Sequence, residues 1–246
     1  MNREDTRAMG NPFEAYLTAI EQALHQAVAA PQADHAPLYN MMAYHLGFLD
    51  EHFQPPVAAD SGKRVRPLVC LLACEAAGGD WHDAVPAAAA IELIHNFSLI
   101  HDDIEDNSAT RRGRRAVWNL WGMPHGINAG DVMLIVAHET LTSLDAQRLD
   151  ADRVLDAVRL LDRTCIRLCE GQYLDMAFEG RLDVTEEAYI QMNGGKTAAL
   201  LACSVAMGAL LAGAGDNVAH YAEFGRQVGL AFQMVDDILG IWGAPE

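Results

Sequence analysis

Aspartates spaced for helices and set in apolar sequence are the residues in this chain best suited to chemistry. The run from Ala87 to Arg115, AAAAIELIHNFSLIHDDIEDNSATRRGRR, puts His95, Ser98, Asp102 and Asp106 at successive spacings of three, four and four. On a helix those positions share one stripe. Ile91, Ile94, Phe97, Ile100 and Ile104 fall off it and are expected to face the protein. Two carboxylates one turn apart repel unless a cation sits between them. Paired hard oxygen donors suit Mg²⁺, which completes its shell with water and phosphate oxygens. A solvated helix end with arginine counter-charges explains the charges, but not the apolar lead-in or the histidine two turns back. The pattern therefore points to a metal–diphosphate site.

Other segments offer parts for the same site. Phe232 to Gly240, FQMVDDILG, is a second acidic stretch in apolar sequence, with Gln233, Asp236 and Gly240 on one face. Bundle proteins build metal sites from facing helices, so the two acidic helices are expected to confront each other across one cavity. Lys63 and Arg66 stand three apart at an expected helix start, where free N–H groups favour anions and Arg binds oxygens bidentately. Alone, that segment is explained equally well as a basic surface turn. Arg111-Arg112-Gly113-Arg114-Arg115 resembles a nucleic-acid or localisation patch, but its place beside the acidic pair favours substrate phosphate. Asn193-Gly194-Gly195-Lys196-Thr197 looks like the tail of a nucleotide P-loop. A P-loop needs glycine where Ile190 stands and a preceding strand. Lys196 and Thr197 remain candidates for phosphate binding at a helix start. Gln172 and Asp175 share a face, which a capping or buried hydrogen-bond pair explains as well as a site role does. No EF-hand loop or Glu-x-x-His di-iron pair is present.

The elements that must position these residues read as helices. Residues 1–11 are expected to be loose and disordered, and Pro12 to open a helix with Phe13, Leu17, Ile20 and Leu24 in phase, ended by Pro31. Further helical stretches run from Leu38 to His52, from Lys63 to Ala77, through the central acidic segment, from Asp131 to Leu144, from Val154 to Phe178 and from Asn217 to Ile241. Strand signals are weak. Thr197 to Gly215 carries no charge over 19 residues, just reaching transmembrane length. Its small residues and missing aromatic flanks favour a buried helix of a soluble bundle over a membrane span. With 51% hydrophobic residues the 246-residue chain can build a large core. Its net charge of −17 argues against non-specific nucleic-acid binding. Five cysteines without CxxC or zinc spacing read as buried free thiols of a cytoplasmic protein, and the polar N-terminus does not read as a signal peptide.

Five motifs in order carry a family resemblance: Gly62-Lys63-Arg64-Val65-Arg66-Pro67; Asp102-Asp103-Ile104-Glu105-Asp106 with Arg111-Arg112-Gly113; Gly171-Gln172-Tyr173-Leu174-Asp175; Gly194-Gly195-Lys196-Thr197; and Phe232-Gln233-Met234-Val235-Asp236-Asp237. From about residue 38 onward the chain resembles the trans-isoprenyl diphosphate synthases. The resemblance implies an all-α fold, a single domain of long helices around a deep central pocket, acting as a cytoplasmic homodimer. It implies Mg²⁺-assisted condensation of isopentenyl diphosphate with an allylic diphosphate. Carried over by motif, Asp102, Asp106 and Asp236 ligate the metal, supported by Asp103 and Asp237. Arg111, Lys196, Thr197 and Gln233 hold the allylic diphosphate, with Gln172 and Phe232 alongside, and Lys196 joins the five aspartates as catalytic. Lys63, Arg66, His95 and Arg112 hold isopentenyl diphosphate. His95 precedes Asp102 by seven residues, ~10 Å along a helix, a sensible gap between two diphosphate sites. In the family, the positions of Phe97 and Ser98 help set product length. A small Ser98, a bulky Phe97 as pocket floor and an uninterrupted first motif imply geranylgeranyl diphosphate, with farnesyl diphosphate next.

Two departures stand out. Gly240 replaces the usual third aspartate of the second motif, and Glu246 follows closely, so the 246 residues are expected to lack the family's C-terminal helices and a further phosphate-binding lysine. The alternatives are a class I terpene synthase, which needs no second diphosphate site, and a non-catalytic partner subunit of a prenyl synthase, which tends to lose the aspartate motifs.

Overall fold

A computed structural model of the chain describes residues 13–57, 62–144 and 148–243. The expectation for residues 1–11 lies outside them. The all-α expectation holds, and the elements are organised around α4 (Val85–Glu105). Its N-terminal half, Ala87 to Ala90 with Ile91, Leu93 and Ile94, is fully buried. Small alanines let neighbouring helices approach. Each of the three larger side chains contributes about 1.5–3 kcal/mol by leaving water. α4 packs most extensively against α6 (Met123–Thr142), and also against α3 (Val65–Ala76) and α1 (Glu14–Ala27).

A second layer forms around α9 (Ala199–Leu211), which contacts α3, α7 (Ala151–Phe178) and α10 (Val218–Trp242). Apolar on all sides, α9 is buried almost throughout, as a core helix must be. The helical stretch Glu186–Leu211 is long and apolar enough to cross a bilayer, yet 67% of its most apolar window is buried inside the fold. The Asp150 carboxylate caps α7 by accepting from the Arg153 amide, and the Thr185 hydroxyl caps α8 (Glu186–Asn193) by accepting from the Ala188 amide.

Three expectations need correction. The second helix, α2 (Ala36–His45), stops seven residues short of His52, because the chain reverses at Gly47 (φ 88°) and Asp50 then organises a loop by accepting from the His52 and Gln54 amides. Lys196 and Thr197 do not open a helix. α8 runs into α9 through a π-helical turn, Gly194–Ala198, so their amides lie inside a continuous helix and only their side chains remain for a ligand. The thiols are free, with Cys70, Cys74 and Cys203 buried, but Cys169 is exposed.

The arginine cluster folds as a two-stranded hairpin, Thr110–Arg111 with Arg114–Arg115, directly after α4. Its tip residues Arg112 (φ 51°) and Gly113 (φ 70°) both have positive φ, the geometry that matches the twist of paired strands. The short α5 (Val117–Trp121) follows.

Candidate active site

The end of α4, the hairpin, the π turn, α7 and α10 converge on one cavity of about 510 Å³. Asp102 and Asp236 both line it, with Ser98, Arg111, Gln172, Lys196, Thr197, Phe232 and Gln233. The two acidic helices therefore meet across a single space, as the spacing predicts. Leu99, Leu168 and Leu200 supply an apolar wall that no motif marked. A second cavity of about 320 Å³ adjoins it and is lined by Lys63, Arg66, His95 and Arg112. Arg66, His95, Arg112, Thr197 and Phe232 line both. The residues assigned by motif to two diphosphates thus fall on two connected cavities.

Charges are paired across the first cavity. Arg111 donates through Nε to Asp103 Oδ1 at 2.8 Å and lies 3.4 Å from Asp102 Oδ2. Lys196 Nζ donates to Asp175 Oδ2 at 2.5 Å and to Asp102 Oδ1 at 3.4 Å. Burial works against the Lys196 ammonium, but Asp175 and Asp102 outweigh it and hold its pKa above the ordinary lysine value. Asp103 is 1% exposed. Burial pushes its carboxyl up, against the pull of Arg111. Asp106, capping the C-terminus of α4 and exposed, is pushed up by burial and by Asp102. It is not on the cavity wall.

The facing side is a hydrogen-bond chain. The Thr197 hydroxyl donates to Gln233 Oε1 at 2.7 Å, Gln233 Nε2 donates to Asp237 Oδ1 at 2.8 Å, and the Tyr189 hydroxyl donates to Asp237 Oδ2. Asp237 is thereby fixed from two helices, and Gln233 is aimed into the cavity. Gln172 is held by donating to Glu105 Oε2 at 2.8 Å. Asp175, for which the sequence leaves a hydrogen-bond pair with Gln172 and a site role equally open, pairs with Lys196 instead. Tyr189 and Glu105 carry no local spacing signal, because their partners lie 48 and 67 residues away.

In the second cavity Arg66 Nη1 lies 3.3 Å from His95 Nε2. Burial, with Arg66 and Arg112 beside it, pushes the His95 pKa well below the ordinary value. The imidazole is therefore neutral, and Nε2 accepts from the guanidinium. Of the two product-length candidates, Ser98 lines the larger cavity, while Phe97 is 6% exposed in the core, its ring against His101. Phe97 is not among the lining residues of either cavity.

The donor set suits magnesium without forming a closed cage. Among the described residues no three His, Cys, Asp or Glu side chains form a ready cage. Asp102, Asp106 and Asp236 offer oxygen only, and none of the described hydrogen bonds or ion pairs engages the side chains of Asp106 or Asp236. An open set of carboxylates beside cationic side chains fits an ion that takes one or two protein oxygens and completes its shell with water and phosphate.

Comparison with known proteins agrees with this arrangement. The family profile described as polyprenyl synthetase matches residues 51–246. A (2E,6E)-farnesyl diphosphate synthase of Mycobacterium tuberculosis is 47% identical over 207 residues, covering 84% of this chain and 56% of that protein. A geranylgeranyl diphosphate synthase of the same organism is 44% identical over 223 residues, covering 90% of this chain and 61% of that protein. The chain thus spans less than two thirds of either relative. Among solved structures, a polyprenyl synthetase of Streptomyces coelicolor A3(2) superposes with a TM-score of 0.85 at 38% identity, covering 94% of this chain and 66% of that one. A geranylgeranyl pyrophosphate synthase gives 0.83 at 36%, covering 96% and 67%. With its aspartate helices meeting over one cavity and the profile matching most of its length, the chain belongs to the polyprenyl synthetase family.

Proposed function

We propose that this chain carries the reaction centre of a prenyltransferase that joins isopentenyl diphosphate to an allylic diphosphate, with geranylgeranyl diphosphate as product. The observation that carries this reading is the pair of adjoining basic cavities, one beside the aspartates and one around Lys63, Arg66 and His95. A terpene cyclase has no use for the second.

Arg111 and Lys196 bind the allylic diphosphate and neutralise its charge as the allylic C–O bond breaks and the electron pair leaves with the diphosphate. Asp102, Asp106 and Asp236 would hold Mg²⁺, which when bound would neutralise further charge on that leaving group. Asp103 and Asp237 orient Arg111 and Gln233 through their hydrogen bonds. Leu99, Leu168, Leu200 and Phe232 exclude water from the allylic cation. Lys63, Arg66 and Arg112 hold the second diphosphate with neutral His95, setting the isopentenyl double bond against the cation. The new C–C bond forms from that double bond, and the proton lost from the adjacent carbon goes to the released diphosphate. No side-chain nucleophile takes part. The reading includes a cytoplasmic homodimer without a membrane span.

The test is incubation with Mg²⁺, farnesyl diphosphate and isopentenyl diphosphate, followed by product analysis. Geranylgeranyl diphosphate is the expected product. A cyclic hydrocarbon formed without isopentenyl diphosphate refutes the reading in favour of a cyclase. An inert chain that restores activity only when mixed with a full-length synthase refutes it in favour of a partner subunit.

A further inference from the structure

We infer that Arg64 is a positioning residue which, through a buried charge triad with Glu21 and Glu92, sets the Lys63 and Arg66 clamp for the non-allylic diphosphate. This deepens the function proposed above and rests on it.

Arg64 lies between the two clamp residues but does not share their exposure. Its side chain is 2% exposed. All three nitrogens of its guanidinium are engaged: Nε donates to Glu21 Oε1 at 2.8 Å, Nη1 to Glu92 Oε1 at 2.8 Å, and Nη2 to the Leu46 carbonyl at 3.0 Å. One planar group therefore ties the 62–66 segment to α1, to the turn after α2 and to α4. Glu92 is itself held, because Asn96 Nδ2 donates to its Oε1 at 3.0 Å and to its carbonyl at 2.8 Å. Glu92 also precedes His95 by one helical turn, so the segment is fixed against the face of α4 that bears His95.

The backbone points the same way. Arg64 caps α3 in the left-handed region, at φ 48° and ψ 37°, which side chains rarely adopt. That conformation reverses the chain between Lys63 and α3, and both Lys63 and Arg66 then line the smaller cavity. Where a strained residue persists, its surroundings over-determine it, and here the three bonds of the guanidinium do so. Replacing a whole buried charge triad by well-packed apolar residues is often neutral or stabilising, so what the triad adds here is a fixed geometry. Lysine cannot replace that fork, because its point charge reaches one partner at a time.

The test uses the 246-residue chain, with isopentenyl diphosphate and geranyl diphosphate titrated separately by calorimetry in Mg²⁺. Removing Arg64 alone strands Glu92, so the main variant is Arg64→Met with Glu92→Gln, beside Arg64→Lys and Arg64→Gly. The double variant is expected to bind isopentenyl diphosphate at least about tenfold more weakly, since a displacement near 1 Å suffices for such a loss. Affinity for geranyl diphosphate should fall less, because only Arg66 of the clamp reaches its cavity, while Arg111, Lys196, Thr197 and Gln233 sit on other elements. Arg64→Lys should recover part of the loss. Equal weakening of both ligands, or a lowered unfolding midpoint with both affinities intact, overturns the positioning role and leaves a structural anchor. So does wild-type affinity in Arg64→Gly, which would show that the left-handed turn suffices. A wild-type chain that binds neither diphosphate overturns the proposed function itself, a result distinguishable from failure of the Arg64 role alone.

Discussion

Gly171→Ala tests whether the contact between α7 and the π turn positions Lys196. A Cβ on Gly171 would lie 2.1 Å from the Lys196 amide nitrogen, 2.6 Å from the Gly195 carbonyl carbon and 2.8 Å from Lys196 Cα. All three are backbone atoms, so no side chain can rotate away. Ordinary contact begins near 3.4 Å, so the turn must move off α7 by about 1 Å or more, at about 1–3 kcal/mol. Lys196 Nζ bridges Asp175, which is on α7, and Asp102, already at 3.4 Å. A shift of that size breaks the longer contact. Misplacement of a binding group by about 1 Å costs about 10²-fold in rate. The assays are urea denaturation and the rate of product formation with saturating isopentenyl diphosphate. Gly194→Ala is the control. It sits in the same turn with helical φ −59°, and a Cβ there would meet nothing within 4 Å, so it should stabilise by about 0.5–1 kcal/mol and leave the rate unchanged. Equal stability of Gly171→Ala and wild type refutes the packing argument. Reduced stability with an unchanged rate refutes the link to Lys196.

Three further outcomes are expected. Burial and the surrounding arginines lower the His45 pKa from 6.5 to about 3. Between those values the unfolded chain binds more protons, so stability falls as pH falls. From pH 7.5 to 5 the loss through this residue is about 2 kcal/mol, and denaturant titrations of wild type and His45→Gln should differ by that amount in their pH dependence. Arg111→Met leaves Asp103 buried without its cation and should cost about 3 kcal/mol, whereas Arg111→Met with Asp103→Asn should recover stability in urea but not affinity for inorganic diphosphate. The raised Asp106 pKa, caused by burial and Asp102, means that protons compete with Mg²⁺ above the pH at which an ordinary aspartate takes them up. Calorimetric Mg²⁺ affinity in the presence of diphosphate should fall there, and that fall should be smaller in Asp106→Asn.

Much of this architecture was legible because helical period and chemistry coincide. The stripe His95, Ser98 and Asp102 lines the larger cavity, while Phe97 and Ile100 on the far side of α4 are buried in the core. Ile91, four residues before His95, shares the face of the stripe instead of falling off it and is buried there. The hairpin was not legible, since four arginines around a glycine carry no alternating strand signal and only the backbone reveals the reversed turn. Nor was the π turn, because a glycine pair before Lys196 and Thr197 reads as the approach to a helix start, whereas Gly195 and Gly171 instead let two backbones touch. Long-range partners such as Glu21 and Glu92 for Arg64, or Tyr189 for Asp237, depend on tertiary packing alone.

A chain of net charge −17 should repel a diphosphate, and the placement of its cations resolves the conflict. Lys63, Arg64, Arg66, Arg111, Arg112 and Lys196 all line the two cavities, out of only 17 lysines and arginines in the chain. The acidic groups on those walls are Glu92, Asp102 and Asp236. Arg64 and Glu92 cancel each other, which leaves five cations against Asp102 and Asp236. Acidic residues elsewhere on the exposed surface are screened beyond about 10 Å at 0.1 M salt, while charges lining a low-dielectric cleft are screened far less and focus their field inward. Affinity for a diphosphate therefore depends on the local count, in which cations exceed carboxylates. Raising bulk salt should accordingly weaken diphosphate binding far less than removing a single cavity cation does.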